Sequence, residues 1–282
     1  MVTLRRALVT QSLLLLTAQL RMNENYGVKG PVHKLQQRKL WNVGLEHLPN
    51  HESFDVEFSP SGQLLQKTKY NMAGSPIGSE RFLYNDSRKI IRAVELNSAG
   101  EVTHISDFDY QSQENRVATT RKSSGEVVSR VIEVYEVNLL MSFTLIDGEG
   151  KLRRQKSFQY SATKLTKSDS KYYLPDGALN EQWITDYDSE GRVARTYGLN
   201  AEDKPLGDGR YGYEYDAEGR RSRLWTFDEF SGDNVASSVT VYEYETDGAG
   251  NWVERREFHQ SRGDSQWSKR ITTRNLTYYP IG

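Results

Sequence analysis

The chain has 282 residues, enough for one large domain or two ordinary ones, but only 36% of them are apolar and the mean hydropathy is -0.73, so any core must be lean. With 17 tyrosines against 9 phenylalanines, the composition suits strands with one wet face or an amphipathic aromatic layer. The 37 basic and 38 acidic residues leave a formal charge of -1, which creates no field to gather nucleic acid or anionic membrane, and the absence of cysteine excludes disulfides, thiolate chemistry and attachment of lipid through a cysteine.

Residues 1–26 read as a leader. Arg5 and Arg6 precede an apolar run from Ala7 to Leu20, too short to cross a bilayer comfortably, which matches the outline of a secretory signal. Thr10, Gln11 and Ser12 interrupt that run and no clean small-x-small pair follows it. An amphipathic helix ending near Asn23 to Gly27 is therefore the other reading of the same residues. The first reading places the protein outside the bacterial cytoplasm, secreted or periplasmic, and the second leaves it inside. No later stretch is apolar enough for a transmembrane helix.

Residues 27–282 form the second division. His33 to Val43 predicts a first strand, with Leu35 and Trp41 on one parity, and Gly44 to Glu52 predicts a loop. From Ser53 a period emerges. Aromatic residues that close a strand before a turn fall at Phe58, Tyr84, Tyr110, Tyr135, Tyr160, Tyr187, Tyr215 and Tyr244, at steps of about 25 to 29 residues. A series of turn glycines interleaves with them at Gly74, Gly100, Gly125, Gly150, Gly177, Gly207, Gly232 and Gly263. Turns about every 13 residues leave roughly 8 for each strand, and connections this short permit only antiparallel neighbours.

Two positions before the closing aromatic there is often another, as at Phe82, Phe108, Phe158, Tyr213 and Tyr242, and residues i and i+2 share one side of a strand. The expected fold is thus all-β: a tandem-repeat antiparallel meander of β-hairpins with roughly 17 strands. A sheet that wide is expected to roll or twist strongly, with its aromatic stripes together and a short N-terminal helix or signal segment ahead of it. Glu133 replaces the earlier aromatic in one unit. The apolar run Asn138 to Leu145 predicts a place where the sheet is covered on both faces or bent. Arg270 to Gly282 predicts a closing strand, and exposed terminal strands would invite pairing between copies.

The sentence Tyr213-Glu214-Tyr215-Asp216-Ala217-Glu218-Gly219-Arg220, its echo Asp186-Tyr187-Asp188-Ser189-Glu190-Gly191-Arg192, and a weaker copy from Tyr242 to Asn251 resemble the YD-repeat, or RHS-repeat, family over roughly residues 53 to 260. The resemblance implies β-hairpins that wind into a shell, which in large members encloses and delivers toxins or serves adhesion. This chain carries only about eight units and has no Asp-Pro-x-Gly segment. What the resemblance implies here is the fold of a small orphan member.

Chemistry-bearing constellations are few. His47 and His51 would share a helix face suited to a metal, but Pro49 and Asn50 argue for a polar loop. Asp186-x-Asp188-x-Glu190-Gly191 imitates the opening of a calcium loop, yet Tyr197 stands where the closing acid belongs, so a hairpin turn is expected. Ser168 and Lys171 have serine-lysine nucleophile spacing but fall in a predicted strand and turn. The basic runs from Lys151 to Lys156 and Arg220 to Arg223 read as solvated strand faces in preference to a polyanion patch. No catalytic residue, metal or cofactor is expected. The candidate binding residues are Trp183, Tyr211, Tyr213, Trp225, Phe227 and Trp252, rigid aromatics that would stack on a sugar or a protein if exposed, and otherwise fill the inward aromatic ladder.

The sequence thus predicts a non-enzymatic β-repeat scaffold or binding protein of the bacterial cell envelope or surroundings, with a protein or polysaccharide partner and no nucleic acid. Two alternatives stand beside it. One is an immunity or accessory partner of a polymorphic toxin system; the other is a carbohydrate-binding module or carbohydrate-active enzyme.

Overall fold

The computed structural model describes residues 28–41, 53–71, 73–112, 114–227 and 235–279. The leader, residues 44–52 with His47 and His51, and the expected turn glycine Gly232 lie outside these residues. The described chain is all strand and turn. Strands β1 (Val32–Trp41), β2 (Phe54–Phe58), β3 (Leu64–Tyr70), β4 (Pro76–Tyr84), β5 (Ile90–Asn97) and β6 (Val102–Tyr110) come first. Next are β7 (Asn115–Lys122), β8 (Val127–Glu136), β9 (Leu139–Asp147), β10 (Leu152–Ser161), β11 (Lys164–Tyr173) and β12 (Leu179–Tyr187). The last are β13 (Val193–Asn200), β14 (Pro205–Tyr215), β15 (Arg221–Phe227), β16 (Ala236–Thr246), β17 (Trp252–Ser261) and β18 (Ser268–Tyr278).

The meander expected from the repeat is what forms, with 18 strands in one sheet among the described residues. Consecutive strands pair antiparallel, as β2 with β3, β7 with β8 and β14 with β15 show. β1 pairs with both β2 and β18, so the free terminal edges expected from the sequence do not arise. By compactness the chain divides into two units. One comprises the described residues up to Thr103 with Tyr244–Arg255 and those from Ile271 onward; the other is His104–Glu243 with Arg256–Arg270.

One turn explains the repeat sentence. In Asp216-Ala217-Glu218-Gly219-Arg220, the amide of Asp216 donates to the carbonyl of Arg220 at 2.8 Å and that of Gly219 donates to the carbonyl of Asp216 at 3.0 Å. Gly219 takes φ 76°, in the left-handed region where a side chain is disfavoured, and the ladder slips one residue between Glu214 and Tyr215. The Asp216 carboxylate then takes three further bonds: Oδ1 accepts the amides of Glu218 (3.1 Å) and Arg220 (2.7 Å), and Oδ2 accepts Arg220 Nε at 2.7 Å. Asp188, Gly191 and Arg192 repeat the arrangement. Tyrosine completes the unit. Tyr215 donates its hydroxyl to the carbonyl of Val193 at 2.8 Å, Tyr84 to Leu64 at 2.8 Å and Tyr160 to Leu140 at 2.9 Å. Each ring thereby clamps the first or second residue of the preceding strand, just past its turn.

The expected turn glycine at Gly207 is corrected by the structure. Gly207 lies inside β14, and the turn before it is Asn200 to Lys204, with Asp203 at φ 59° supplying the left-handed position. Asx residues tolerate that region, which is why the glycine series loses step there. The apolar run Asn138 to Leu145 has a local cause. A register slip between Val134 and Tyr135 allows Leu140 and Phe143, which differ in parity, both to be buried.

Register separates two faces. In the second unit Phe108 lies opposite Ala118, Ala118 opposite Val131 and Val131 opposite Leu145, all four buried. On β10 that face carries Phe158 and Tyr160, while Gln155, Ser157 and Gln159 on the other face are exposed. In the first unit Leu35 opposes Val56 and Phe82 opposes Ala93, again buried together. The aromatic stripes therefore share the buried face, as the period-2 pattern requires.

Candidate functional site: an aromatic and cationic face

The buried face is not apolar throughout. Glu133, in the position other units give to an aromatic, is 1% exposed and forms a salt bridge with Arg116, which is 2% exposed and directly opposite it in register. The Tyr135 hydroxyl donates to the same carboxylate at 2.8 Å. The guanidinium carbon of Arg116 lies 5.7 Å from the Phe108 ring and 6.0 Å from the Tyr110 ring. Burial lifts the Glu133 carboxyl above its usual range against the pull of Arg116, and lifts the Tyr135 phenol too.

Two strands on, Arg154 and Lys156 of β10 share that face. Arg154 lies opposite Leu145 and Tyr172; Lys156 lies opposite Phe143 and Ser170. The Arg154 guanidinium carbon is 4.5 Å from the Tyr172 ring and 5.3 Å from that of Phe143, and Lys156 Nζ is 4.8 Å from the Phe158 ring. Arg154 Nε is buried without an acceptor. Burial, and then the neighbouring guanidinium, push the Lys156 amine down to about 8. Burial likewise lowers Arg154, opposed only by the Tyr172 hydroxyl. Across Ser170 from Lys156 stands Trp183, whose ring stacks on Tyr211 with centroids 6.2 Å apart at 28°. Gly198, opposite Trp183, leaves the room: a Cβ there would lie 3.1 Å from the indole and 2.9 Å from Leu206.

The six aromatic candidates do not form one patch. Trp183, Tyr211 and Tyr213 share the buried face, Tyr213 beneath the Arg221 guanidinium at 4.7 Å. Trp225 and Phe227 stand on the opposite face, opposite Gly212 and Arg210, with Arg210 over Phe227 at 4.3 Å. Trp252 belongs to the first unit, where Arg274 covers it at 3.4 Å and Tyr244 meets it edge-on at 6.2 Å. Tyr213, Phe227 and Trp252 thus lie against arginines, while Trp183 stacks on Tyr211.

The reading of Lys151 to Lys156 as a solvated strand face is half corrected. Lys151 and Arg153 do serve the turn, pairing with Glu149 at 3.0 Å and Asp147 at 2.6 Å, while Arg154 and Lys156 point to the buried side. Their parity with Phe158 and Tyr160 was the available signal. Asp186 and Asp188, the calcium-like pair, are engaged by Arg195 at 2.6 Å and Arg192 at 2.8 Å. Ser168 is hydrogen-bonded to the Tyr187 hydroxyl at 3.2 Å, and Lys171, three residues along the strand, falls on the other face.

The chain matches no protein-family model and no curated protein. Among solved structures it is similar to a porin-like protein from Bacteroides uniformis ATCC 8492, at 12% identity over 89% of this chain and 99% of that one, with a TM-score of 0.46. A porin-like protein from Bacteroides vulgatus ATCC 8482 shares 14% identity over 90% and 100%, with a TM-score of 0.36. The structure titled TcdB2-TccC3-TEV shares 12% over 83% of this chain and 15% of that one, with a TM-score of 0.26.

Proposed function

We propose that this chain is a non-enzymatic β-repeat scaffold of the YD-repeat kind, acting at the bacterial cell envelope or beyond it, and that it binds a partner on the aromatic and cationic face of its second unit. The observation that carries this reading is the ring pair Trp183–Tyr211 beside the cations Arg154 and Lys156. Rings already ordered by packing bind at little entropic cost. The Asp-x-x-Gly turns and the tyrosine clamps hold the strands beneath them in register. The other face of these strands carries Gln155, Ser157, Gln159, Lys167 and Lys171. Such residues suit water and would be costly against lipid.

Purified protein is passed over immobilised envelope polysaccharides and envelope protein fractions, alongside Trp183→Ala and Tyr211→Ala variants of verified fold. Retention that either variant weakens supports the reading. Retention that neither alters, or none at all, refutes it.

A further inference from the structure

We propose that Arg154 and Lys156 form a binding site for an oxyanion group, a sulfate, phosphate or carboxylate, seated on the buried face between Tyr172, Phe143 and Phe158; this rests on the reading of that face as the binding face.

Cations turned toward the buried face of this protein ordinarily have anions. Arg116 has Glu133, Lys69 has Glu80 and Arg270 has Glu257, the last two acids only 5% exposed. Arg154 and Lys156 break that rule. Among the described residues neither has a carboxylate partner: the nearest acids in their rows are Glu181, beyond Tyr172, and Glu133, beyond Phe143 and already held by Arg116. A desolvated cation without a counterion is among the costliest groups a fold can hold. Here two stand at i and i+2 on one strand, roughly 7 Å apart, where their mutual repulsion adds to the cost. An oxyanion between them would accept from the free Arg154 Nε and from Lys156 Nζ together, charge-assisted on both sides.

The flanking groups fit such a guest. Tyr172 and Phe143 hold the guanidinium plane from two sides, which fixes the direction of its donors. Lys156 remains able to carry its charge at neutral pH. Ser170 separates Lys156 from the Trp183–Tyr211 stack in register, so a sugar bearing the anion would reach the rings about two strand spacings away, near 10 Å. The anion has two sources, a free inorganic ion or an acidic sugar, and the two probes below separate them.

The full chain is titrated calorimetrically with sodium sulfate at constant ionic strength, and separately with a galacturonate oligosaccharide. Wild type is compared with Lys156→Met, Arg154→Met, the charge-retaining Lys156→Arg and the exposed control Lys151→Met. Sulfate stabilises folded proteins generally by exclusion, so the comparison between variants is the readout. Saturable binding of at least one probe is expected, weakened tenfold or more in Lys156→Met and Arg154→Met, kept within about threefold in Lys156→Arg, and unchanged in Lys151→Met. Saturation by sulfate identifies a free-ion site, and saturation by the oligosaccharide alone identifies a sugar-borne carboxylate. If neither probe saturates, or if the methionine variants bind as wild type does, the oxyanion site is wrong. Should the oligosaccharide still bind and depend on Trp183 instead, the wider reading survives without it. The methionine variants relieve a buried charge, so they are expected to fold, and circular dichroism checks it.

Discussion

The Arg116–Glu133 pair allows the sharpest test, because repeat register supplies its own replacement. Position 133 is aromatic in other units, at Phe82, Phe108, Phe158 and Tyr213, and position 116, opposite the closing aromatic of the preceding strand, is aliphatic at Leu64, Ile90 and Val193 and arginine again at Arg221. Both partners are at most 2% exposed. Glu133→Gln leaves the Arg116 guanidinium buried without its counterion, which costs about 3–5 kcal/mol, and Arg116→Leu strands the carboxylate at similar cost. The double variant Arg116→Leu/Glu133→Phe removes both charges and installs the residue types of neighbouring units. It is expected to lie within about 1 kcal/mol of wild type, or above it, since an apolar pair of similar volume commonly matches a buried ion pair. Urea unfolding followed by tyrosine fluorescence and circular dichroism gives the midpoints, and the cycle gives a coupling of several kcal/mol. Were the double variant to lose the sum of the two single losses, the pair would not be a local substitute for the repeat packing, and the argument from register would fail.

Four further outcomes follow from the same geometry. Tyr215→Phe removes the hydroxyl that clamps Val193 and is expected to cost about 1 kcal/mol, whereas Tyr213→Phe on the same strand should cost less; chemical unfolding compares them. Gly148→Ala places a Cβ 2.2 Å from the Val127 carbonyl oxygen and should lose about 1–3 kcal/mol, while Gly248→Ala, at the same turn position with open space around it, should stay within about 0.5 kcal/mol of wild type in thermal unfolding. The Asp188 carboxyl is opposed by burial but held below its ordinary range by the amides of Arg192 and Glu190 and the Arg192 guanidinium; its stabilisation is present above pH 3.8 and lost as pH falls below that, so Asp188→Ala should flatten the acid limb of a stability-versus-pH curve. Lys156 is depressed to about 8, so the folded state bears the full cost below that pH and sheds it as pH rises toward 10.5. The advantage of Lys156→Met, up to about 3 kcal/mol at pH 7, should therefore shrink between pH 8 and 10, with Arg154, Tyr172 and Glu133 as the neighbouring titratable groups.

The all-β meander was legible because two local rules repeat. Aromatics at i and i+2 name the buried face, and Asp-x-x-Gly names the turn; Asp216 and Gly219 are fixed within their own turn, and Tyr215 by the strand just before it. Where a turn used another residue, as at Asp203, the glycine count drifted. The pairing of β1 with β18 was not legible, since register between chain ends is set by strand closure and leaves no local trace. Of the candidate site, Trp183 and Tyr211 were found by type and parity, but their stacking depends on the missing side chain of Gly198, on the strand between them. Trp225 and Phe227 were misgrouped with them because the one-residue slip at Tyr215 changes which parity faces in on β15.

Strand alternation also explains why charge was the hardest feature to read. A basic run such as Lys151 to Lys156 sends alternate residues to opposite faces, so the same letters supply turn ion pairs through Lys151 and Arg153 and inward, half-buried cations through Arg154 and Lys156. Charge averaged over the run cannot distinguish these roles; face by face, it can. On the exposed side Lys151 and Arg153 meet Glu149 and Asp147 within a few residues, at little energetic consequence. On the buried side the account must close across strands, as it does for Arg116 with Glu133 and does not for Arg154 and Lys156. A sheet whose turns and tyrosine clamps already fix its register can hold such an imbalance, and stability surrendered at one cluster of side chains is where a binding site is to be sought.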